Sequence, residues 1–308
     1  MSLTSLLREP DVRKRFAEEF PKPRIPLQGN IRAKPANPTH AGLIGTALDY
    51  LLRVHVAVLN TNIRERQWVA ESAIDLLRSR IADRSPIFTD SSRRSTRGVV
   101  KRAETIISDA RDEYAKCKRR RCVTAKMARC ALLLAQLDTY YRCGLLSEQF
   151  GRAADSDIRD LRQMLAIAQG LQERPFLASR ICVLNPGFKK ASLLVNGADA
   201  DLLIDETLIE VKATKHLRFT SEMFHQLLGY YLLYKIGGIT PAVPPRTRIR
   251  YLGVYFARYG VFTRLPLDEI IDGARVGAFV RWFKRRAESP FGLERTTIVT
   301  EDGTRVTF

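Results

Sequence analysis

The chain is poor in several features, and each shortage removes a class. No apolar run approaches the ~20 residues of a membrane span. The most tempting stretch, Met223 to Ile236, is broken by His225, Gln226 and Lys235. The opening residues, MSLTSLLREPDVRKRF, carry charge where a secretory leader needs an apolar segment. These two absences predict a cytoplasmic chain without a membrane partner. Cysteines are few and odd in number: Cys117, Cys122, Cys130, Cys143 and Cys182. A disulfide scaffold is excluded, and free thiols in a reducing compartment are expected. The cysteine spacing fits no zinc pattern, and no Gly-rich Walker loop is present, so no nucleotide cofactor is expected. An aromatic stripe suited to stacking single-stranded bases is also missing.

Acids are scarce relative to bases. The 308 residues hold 51 Lys and Arg against 33 Asp and Glu, a net charge of +18. Such a chain attracts anions over long range, and nucleic acid is the leading partner. With 45% apolar and 27% charged residues, the composition is that of a globular protein able to bury a sizeable core.

The chain divides by texture. Residues 1–39 hold Pro21, Pro23, Pro26, Pro35 and Pro38 and read as an extended lead-in after a short helix near Ser5 to Glu19. Residues 40–66 form a first core helix, with Leu43, Ala47, Leu48, Leu51, Leu52 and Val56 at three- and four-residue steps. Residues 67–174 read as a basic helical insertion. It comprises Trp68 to Ala82, a polar loop from Asp83 to Arg97, a helical stretch from Val99 to Glu148, and a helix from Asp155 to Leu171. Residues 175–308 read as an α/β core. Val195 to Ile204 and Thr207 to Ala213 are two strands turning at Asp205-Glu206. Thr220 to Ile236 is a helix stopped by Gly237-Gly238. Arg248 to Ala257 and Val261 to Leu265 are strands, and Leu267 to Glu288 is a basic helix. The order predicts a mixed sheet flanked by helices, with a large helical N-terminal region.

The chemistry concentrates in Gly197 to Lys212, GADADLLIDETLIEVK. Strand side chains alternate, so Glu210 and Lys212 share one face, and Asp199 and Asp201 share a face on the preceding strand. If the strands pair as a hairpin, an aspartate lies beside Glu210 and Lys212. Carboxylate oxygens suit Mg²⁺, which keeps several waters and binds substrate phosphates. A metal-activated water is the better nucleophile, the ion offsets charge at phosphorus, and a nearby ammonium stabilises the transition state. Taken alone, Glu210-Val-Lys212 is more often an ion pair on a solvated strand face. The apolar strand before it and the helix after it shift the balance.

These residues resemble the D…ExK signature of the PD-(D/E)xK nuclease superfamily, whose core is restriction-endonuclease-like. The resemblance implies Asp201 as the metal-binding aspartate, Glu210 as the second acid and Lys212 as the catalytic lysine. Asp199 is an alternative metal ligand, and Asp205 a weaker one. Ala200 stands where the motif's proline would be. Gln226-Leu-Leu-Gly-Tyr230 resembles the QxxxY motif of RecB-like and λ-exonuclease-like relatives, with Gln226 and Tyr230 on one helical face. Alone, that pair would more often be an amphipathic helix packing Tyr230 on the sheet. Gly45-Thr46-Ala-Leu-Asp49 resembles the Gly-Thr-x-x-His helix of RecB-like nucleases, with Asp49 in the histidine's place. Asp49 could equally pair with Arg53 one turn on. The resemblance thus implies Asp201, Glu210, Val211 and Asp49 around Mg²⁺ or Mn²⁺. No cysteine follows Cys182, so the iron–sulfur cluster of some relatives is not expected.

Three basic clusters accompany the motifs. Lys116, Lys118, Arg119, Arg120 and Arg121 form one; Arg93, Arg94, Arg97, Lys101 and Arg102 a second; Arg281, Lys284, Arg285 and Arg286 a third. One such cluster is usually a solvated helix face, but three favour phosphate contacts with salt-dependent affinity. The expected function is a Mg²⁺- or Mn²⁺-dependent deoxyribonuclease on double- or single-stranded DNA. A protein partner in a DNA-processing or defence system fits the same reading. The rivals are a non-catalytic nucleic-acid-binding subunit with a nuclease-like fold, and an RNase. The nuclease reading requires Asp201 to face Glu210 and Lys212 across space that a salt bridge does not fill.

Overall fold

The computed structural model describes residues 1–83, 85, 87, 98–289, 297–299 and 305–307. Most of the loop expected from Asp83 to Arg97, including Arg93, Arg94 and Arg97, lies outside the described residues. The protein is α/β, with a six-stranded mixed sheet between helices. Its strands are β1 (Ile63–Glu65), β2 (Cys182–Leu184), β3 (Leu202–Ile204), β4 (Thr207–Lys212), β5 (Tyr251–Phe256) and β6 (Val261–Pro266), in that spatial order. β1–β2 and β4–β5 are parallel; the other neighbours are antiparallel. A small separate ladder joins β7 (Thr297–Val299) to β8 (Arg305–Thr307).

Alternation along the strands builds two apolar layers. Leu202, Ile204, Ile209 and Tyr255 face the bundle of α3 (Ala41–Leu59), α4 (Val69–Ala82), α5 (Val99–Arg120), α6 (Ala125–Cys143) and α7 (Asp155–Gln169). Leu203, Leu208, Val254 and Phe256 face α8 (Ser221–Gly237) and α9 (Gly273–Glu288). The helical region and the sheet therefore share one continuous apolar cluster. The first residues are also part of the packing. They form α1 (Leu3–Leu6) and α2 (Pro10–Glu19), parted at Pro10, and Leu6, Val12, Phe16 and Phe20 are buried on the α8–α9 side. Phe16 and Phe20 pack edge-on against Phe279 at 5.1 and 4.7 Å.

Four expectations change. Pro38–Leu59, a 3₁₀ turn running into α3, does have the length and hydropathy of a membrane span; 67% of its most apolar window is buried in the fold, beside the buried polar residues Arg53 and His55. The stretch from Val195 is strand only from Leu202. Lys189–Val195 is a 3₁₀ helix, and the left-handed Asn196 (φ 49°) and Gly197 (φ 95°) turn the chain before the sheet begins. The helical stretch after Val99 divides because Arg121 is left-handed and ends α5. The basic helix starts late, at Gly273, where Asp272 accepts a hydrogen bond from Ala274 N at 2.9 Å. β1 and β2 were not expected at all: three residues each are too few to show alternation.

The β3–β4 turn at Asp205-Glu206 forms as expected, but Asp205 lies at the end of the hairpin away from Glu210 and Lys212, so it is no metal ligand. Its carboxylate accepts hydrogen bonds from the backbone N–H of Ser179, Arg180 and Ile181 at 2.9, 2.7 and 2.9 Å. Burial raises its pKa, but these N–H groups outweigh burial and hold it below the ordinary 3.8. A lowered folded-state value stabilises the fold above the unfolded pKa and loses that stabilisation as pH falls through the folded one. Asp205→Ala should therefore cost about 1–2 kcal/mol at pH 7, measured by urea unfolding. The deficit should shrink below about pH 4, and one that stayed constant with pH would remove this role.

Candidate active site

The β3–β4 register pairs Leu203 with Leu208. Continued two residues along the hairpin, it carries Asp201 to the level of Glu210. The main chain holds it there: Asn185 N donates to Asp201 O at 2.9 Å, and Val211 N donates to Asp201 Oδ2 at 2.6 Å. Asp201 thus lies on the same face as Glu210, the first of the two conditions set by the nuclease reading; the second, space free of a salt bridge, is met only in part, because Lys212 pairs with Glu210 at 2.7 Å.

Glu210 and Lys212 project to the α8 side. Lys212 Nζ donates to Glu210 Oε1 at 2.7 Å and to Gln226 Oε1 at 3.0 Å. Gln226 Nε2 in turn donates to the Tyr230 hydroxyl at 2.8 Å. The salt bridge takes one oxygen of Glu210. The other, Oε2, is buried without a hydrogen-bond partner. A buried carboxylate oxygen without a partner is costly and calls for a cation or a donor.

Two elements set α8 at this distance. Thr220 caps it by accepting from Met223 N at 3.3 Å. Near its other end a side chain at Gly237 would place Cβ 2.2 Å from the Phe188 carbonyl oxygen, so only glycine lets the helix close on that loop. The same loop stacks Phe188 on Tyr230 at 5.6 Å.

The opposite wall comes from α3 and α6. Asp49 is ion-paired with Arg53, whose guanidinium lies 4.4 Å over the Tyr50 ring. Asp138 on α6 accepts from Arg142 Nε at 2.6 Å and from the Tyr50 hydroxyl at 3.0 Å. Asp199 lies 3.6 Å from both Arg66 and Arg142. Asp49, Asp138, Asp199, Asp201 and Glu210 together line a cavity of about 250 Å³, with Val211, Ala213 and Tyr230.

Crowded carboxylates raise one another's proton affinity. Burial, then Glu210 and Asp49, hold Asp201 well above the carboxylate range. Burial, with Asp138 and Asp199, pushes Asp49 up to about 6 against the pull of Arg53. Burial lowers Lys212, but the Glu210 carboxylate outweighs it and the group stays ammonium. Burial, then Glu210 and Asp201, push the Tyr230 hydroxyl well above 10.0.

Among the described residues, no three His, Cys, Asp or Glu side chains are grouped so as to hold an ion by themselves. Mg²⁺ needs no such cage, since it binds through one or two carboxylates with waters and phosphate oxygens filling its octahedron. Hard oxygen donors and the unpartnered Glu210 Oε2 fit it or Mn²⁺. Val211 enters through its main chain; its side chain belongs to the other face.

The structure brings together Asp201, Glu210, Lys212, Gln226, Tyr230 and Asp49. Asp199 also reaches the cavity, but between two arginines. Among the described residues, none of the basic clusters lines it. Lys101, Lys116, Lys118, Arg119, Arg120 and Arg121 are exposed elsewhere on the helical region. Arg102 donates to the Gly151 carbonyl at 2.9 Å, and Arg286 is buried, bonded to Asp11 at 2.7 and 3.2 Å. Arg286 thus serves packing, which sequence clustering cannot distinguish from phosphate contact, while Arg102 stays exposed. Among the described residues Arg142 is the basic side chain that lines the cavity, and sequence reading missed it together with Asp138. A signal existed: Asp138 is a lone acid in the apolar run from Ala131 to Tyr141, four residues before an arginine.

All five cysteines are free thiols; Cys117, Cys130 and Cys182 are buried, Cys122 and Cys143 exposed. Comparison of the chain with known protein families, curated proteins and solved structures returned no match.

Proposed function

We propose that this chain is a Mg²⁺- or Mn²⁺-dependent phosphodiesterase acting on DNA, with a restriction-endonuclease-like core and a helical insertion. The observation that carries this reading is the meeting of Asp201, Glu210 and Lys212 at one end of β4, with Glu210 Oε2 buried and unpartnered. Asp201 and Glu210 would hold the ion, with Asp49 across the cavity. When bound, the ion polarises the phosphate and makes an attacking water available at neutral pH. Lys212, kept charged by Glu210 and aimed by Gln226, stabilises negative charge growing on the phosphate oxygens. Tyr230 fixes the Gln226 amide. The net charge of +18 draws DNA to the surface.

The test is a gel. Supercoiled plasmid, linear duplex, single-stranded DNA and RNA are incubated with the protein in Mg²⁺, Mn²⁺ or EDTA. DNA should be cut with either metal and left intact in EDTA. Cutting that persists in EDTA, or no cutting of any DNA, would overturn the reading; cleavage of RNA alone would make the chain an RNase.

One observation favours a second reading, a non-catalytic nucleic-acid-binding subunit. Each acid at the cavity already has a partner: Arg53 for Asp49, Arg142 for Asp138, Arg66 and Arg142 for Asp199, Lys212 for Glu210, and Val211 N–H for Asp201. Such a network can be purely structural. Salt-dependent DNA binding without cleavage in the same gel series would select it.

A further inference from the structure

The extended lead-in and the loop that follows Lys212 lie side by side and run antiparallel. Lys22 Nζ stands 5.7 Å over the Phe219 ring. A Cβ at Gly29 would lie 3.7 Å from the Leu217 side chain. One guanidinium, that of Arg258, donates to the carbonyls of both Ala213 and Ala33, at 2.8 and 3.2 Å. Arg32 N and Ala33 N donate back to Arg258 O at 2.8 and 3.1 Å. Ala213 lines the acidic cavity, so the two segments form one band that starts at the cavity and ends at the N-terminus of α8.

The lead-in presents one face outward. Pro21, Pro23 and Pro26 hold it extended, and side chains of an extended chain alternate. Ile25, Leu27 and Ile31 pack on the α8–α9 layer, and Ala33 is buried. The even positions point away, and Lys22, Arg24, Arg32 and Lys34 are exposed. Lys215 and Arg218 are exposed alongside them. Between Phe20 and His40, and again from Ala213 to Phe219, the sequence has no Asp or Glu. Among the described residues none of these six cations makes an ion pair. Elsewhere exposed bases are partnered: Lys14 with Glu18, Arg78 with Glu104, Lys116 with Glu113, Lys284 with Glu288. The next acid along the chain, Glu222, is engaged with Thr220 and its own backbone N–H.

We propose that this acid-free band is the track along which the phosphate backbone of the substrate strand leaves the acidic cavity. The proposal rests on the phosphodiesterase reading for its setting, but binding can be measured without cleavage. Unpaired, pre-positioned cations in a row suit a linear polyanion, since each phosphate contact releases a counterion. The residues 213–219 reach at most about 25 Å. A duplex strand sets one phosphate per about 3.4 Å of axis, so the band has room for several. An anionic membrane fits less well. Surface-lying segments also insert apolar side chains, and the exposed large apolar residues among those described all lie outside the band.

A fluorescently labelled DNA duplex is titrated with the full chain in EDTA over a range of NaCl concentrations, read by anisotropy. A band variant replaces Arg24, Lys34, Lys215 and Arg218 with Gln. A control variant replaces Lys118, Arg119, Arg120 and Arg121, the exposed cluster at the end of α5, with Gln. Both remove four charges, and thermal unfolding checks that both fold. The band variant should weaken binding and lower the slope of log K against log salt by about 1 per residue, about 4 in all. The control should change the slope by less than about 1. An unchanged slope in the band variant, or an equal loss in both variants, would overturn the track. Binding of phosphatidylserine vesicles that the band variant loses, with the DNA slope unchanged, would overturn it in favour of a membrane surface. If the band variant loses the slope but plasmid is never cut by wild type, the track stands and the nuclease reading fails. If plasmid is cut and the control variant carries the slope, the nuclease reading stands and the track fails.

Discussion

Lys212→Ala should lower DNA cleavage by at least about 100-fold, the loss typical when one preorganised charge or donor is withdrawn from a reacting oxyanion. The same substitution acts on the fold. Lys212 is the hydrogen-bond partner of Glu210, and the side chains are 20% and 8% exposed. Removing it leaves a buried carboxylate with neither oxygen satisfied. Breaking a buried pair from one side costs about 3–5 kcal/mol, and the part-exposed lysine puts the expected loss at or below about 3 kcal/mol by the lesser value of exposed pairs. Stability and activity therefore need separating. Glu210→Gln with Lys212→Ala removes both charges, so the double variant should recover much of the unfolding temperature and remain inactive. Thermal unfolding and the plasmid gel together decide. Recovery of cleavage along with stability would remove both Glu210 and Lys212 from the chemistry, and the effect of Lys212 itself is read from the single variant at temperatures where it stays folded. Mg²⁺ should raise the unfolding temperature of Lys212→Ala more than that of Asp201→Asn, since the ion compensates Glu210 only where its ligands survive.

Asp160→Ala should be the most destabilising single change, costing about 3–5 kcal/mol. Arg258 and Asp160 are 2% and 1% exposed and joined by two hydrogen bonds of 2.7 and 2.9 Å. The same guanidinium donates to Ala213 O at 2.8 Å and to Ala33 O at 3.2 Å. It thereby ties α7, the lead-in, the exit of β4 and the end of β5. Without Asp160 the guanidinium is left buried and uncompensated. Arg258→Met with Asp160→Leu should cost much less than the two singles summed, because apolar groups of similar volume replace a desolvated pair. Ala213 lines the acidic cavity, so cleavage by Asp160→Ala should also fall at temperatures where the protein stays folded. Urea unfolding of the two singles and the double measures the coupling. An unfolding midpoint unchanged in Asp160→Ala would make the pair a spectator.

The parts of the site that were legible in sequence are those made by local periodicity. Glu210 and Lys212 share a strand face because strands repeat every two residues, and Gln226 and Tyr230 share a helix face because four residues make about one turn. The hairpin turn at Asp205 put Asp201 on the neighbouring strand. The helices α3, α4, α7 and α8 were readable from apolar spacing and caps. The edge strands β1 and β2 were not, because their pairing comes from distant partners: Ile63 lies opposite Cys182.

What sequence alone determined, then, is which residue types occur at which short spacing, and from that the pairing of two acids and an amine on one hairpin. Tertiary packing decided everything that depends on distance along the chain. It brought Asp138 and Arg142 from α6 to the strand edge, buried Arg286 against Asp11, and opened a larger cavity beside the acids. The reason is energetic: a lone buried charge is too costly to keep, so the partner it finds is set by which helices the apolar layers press together.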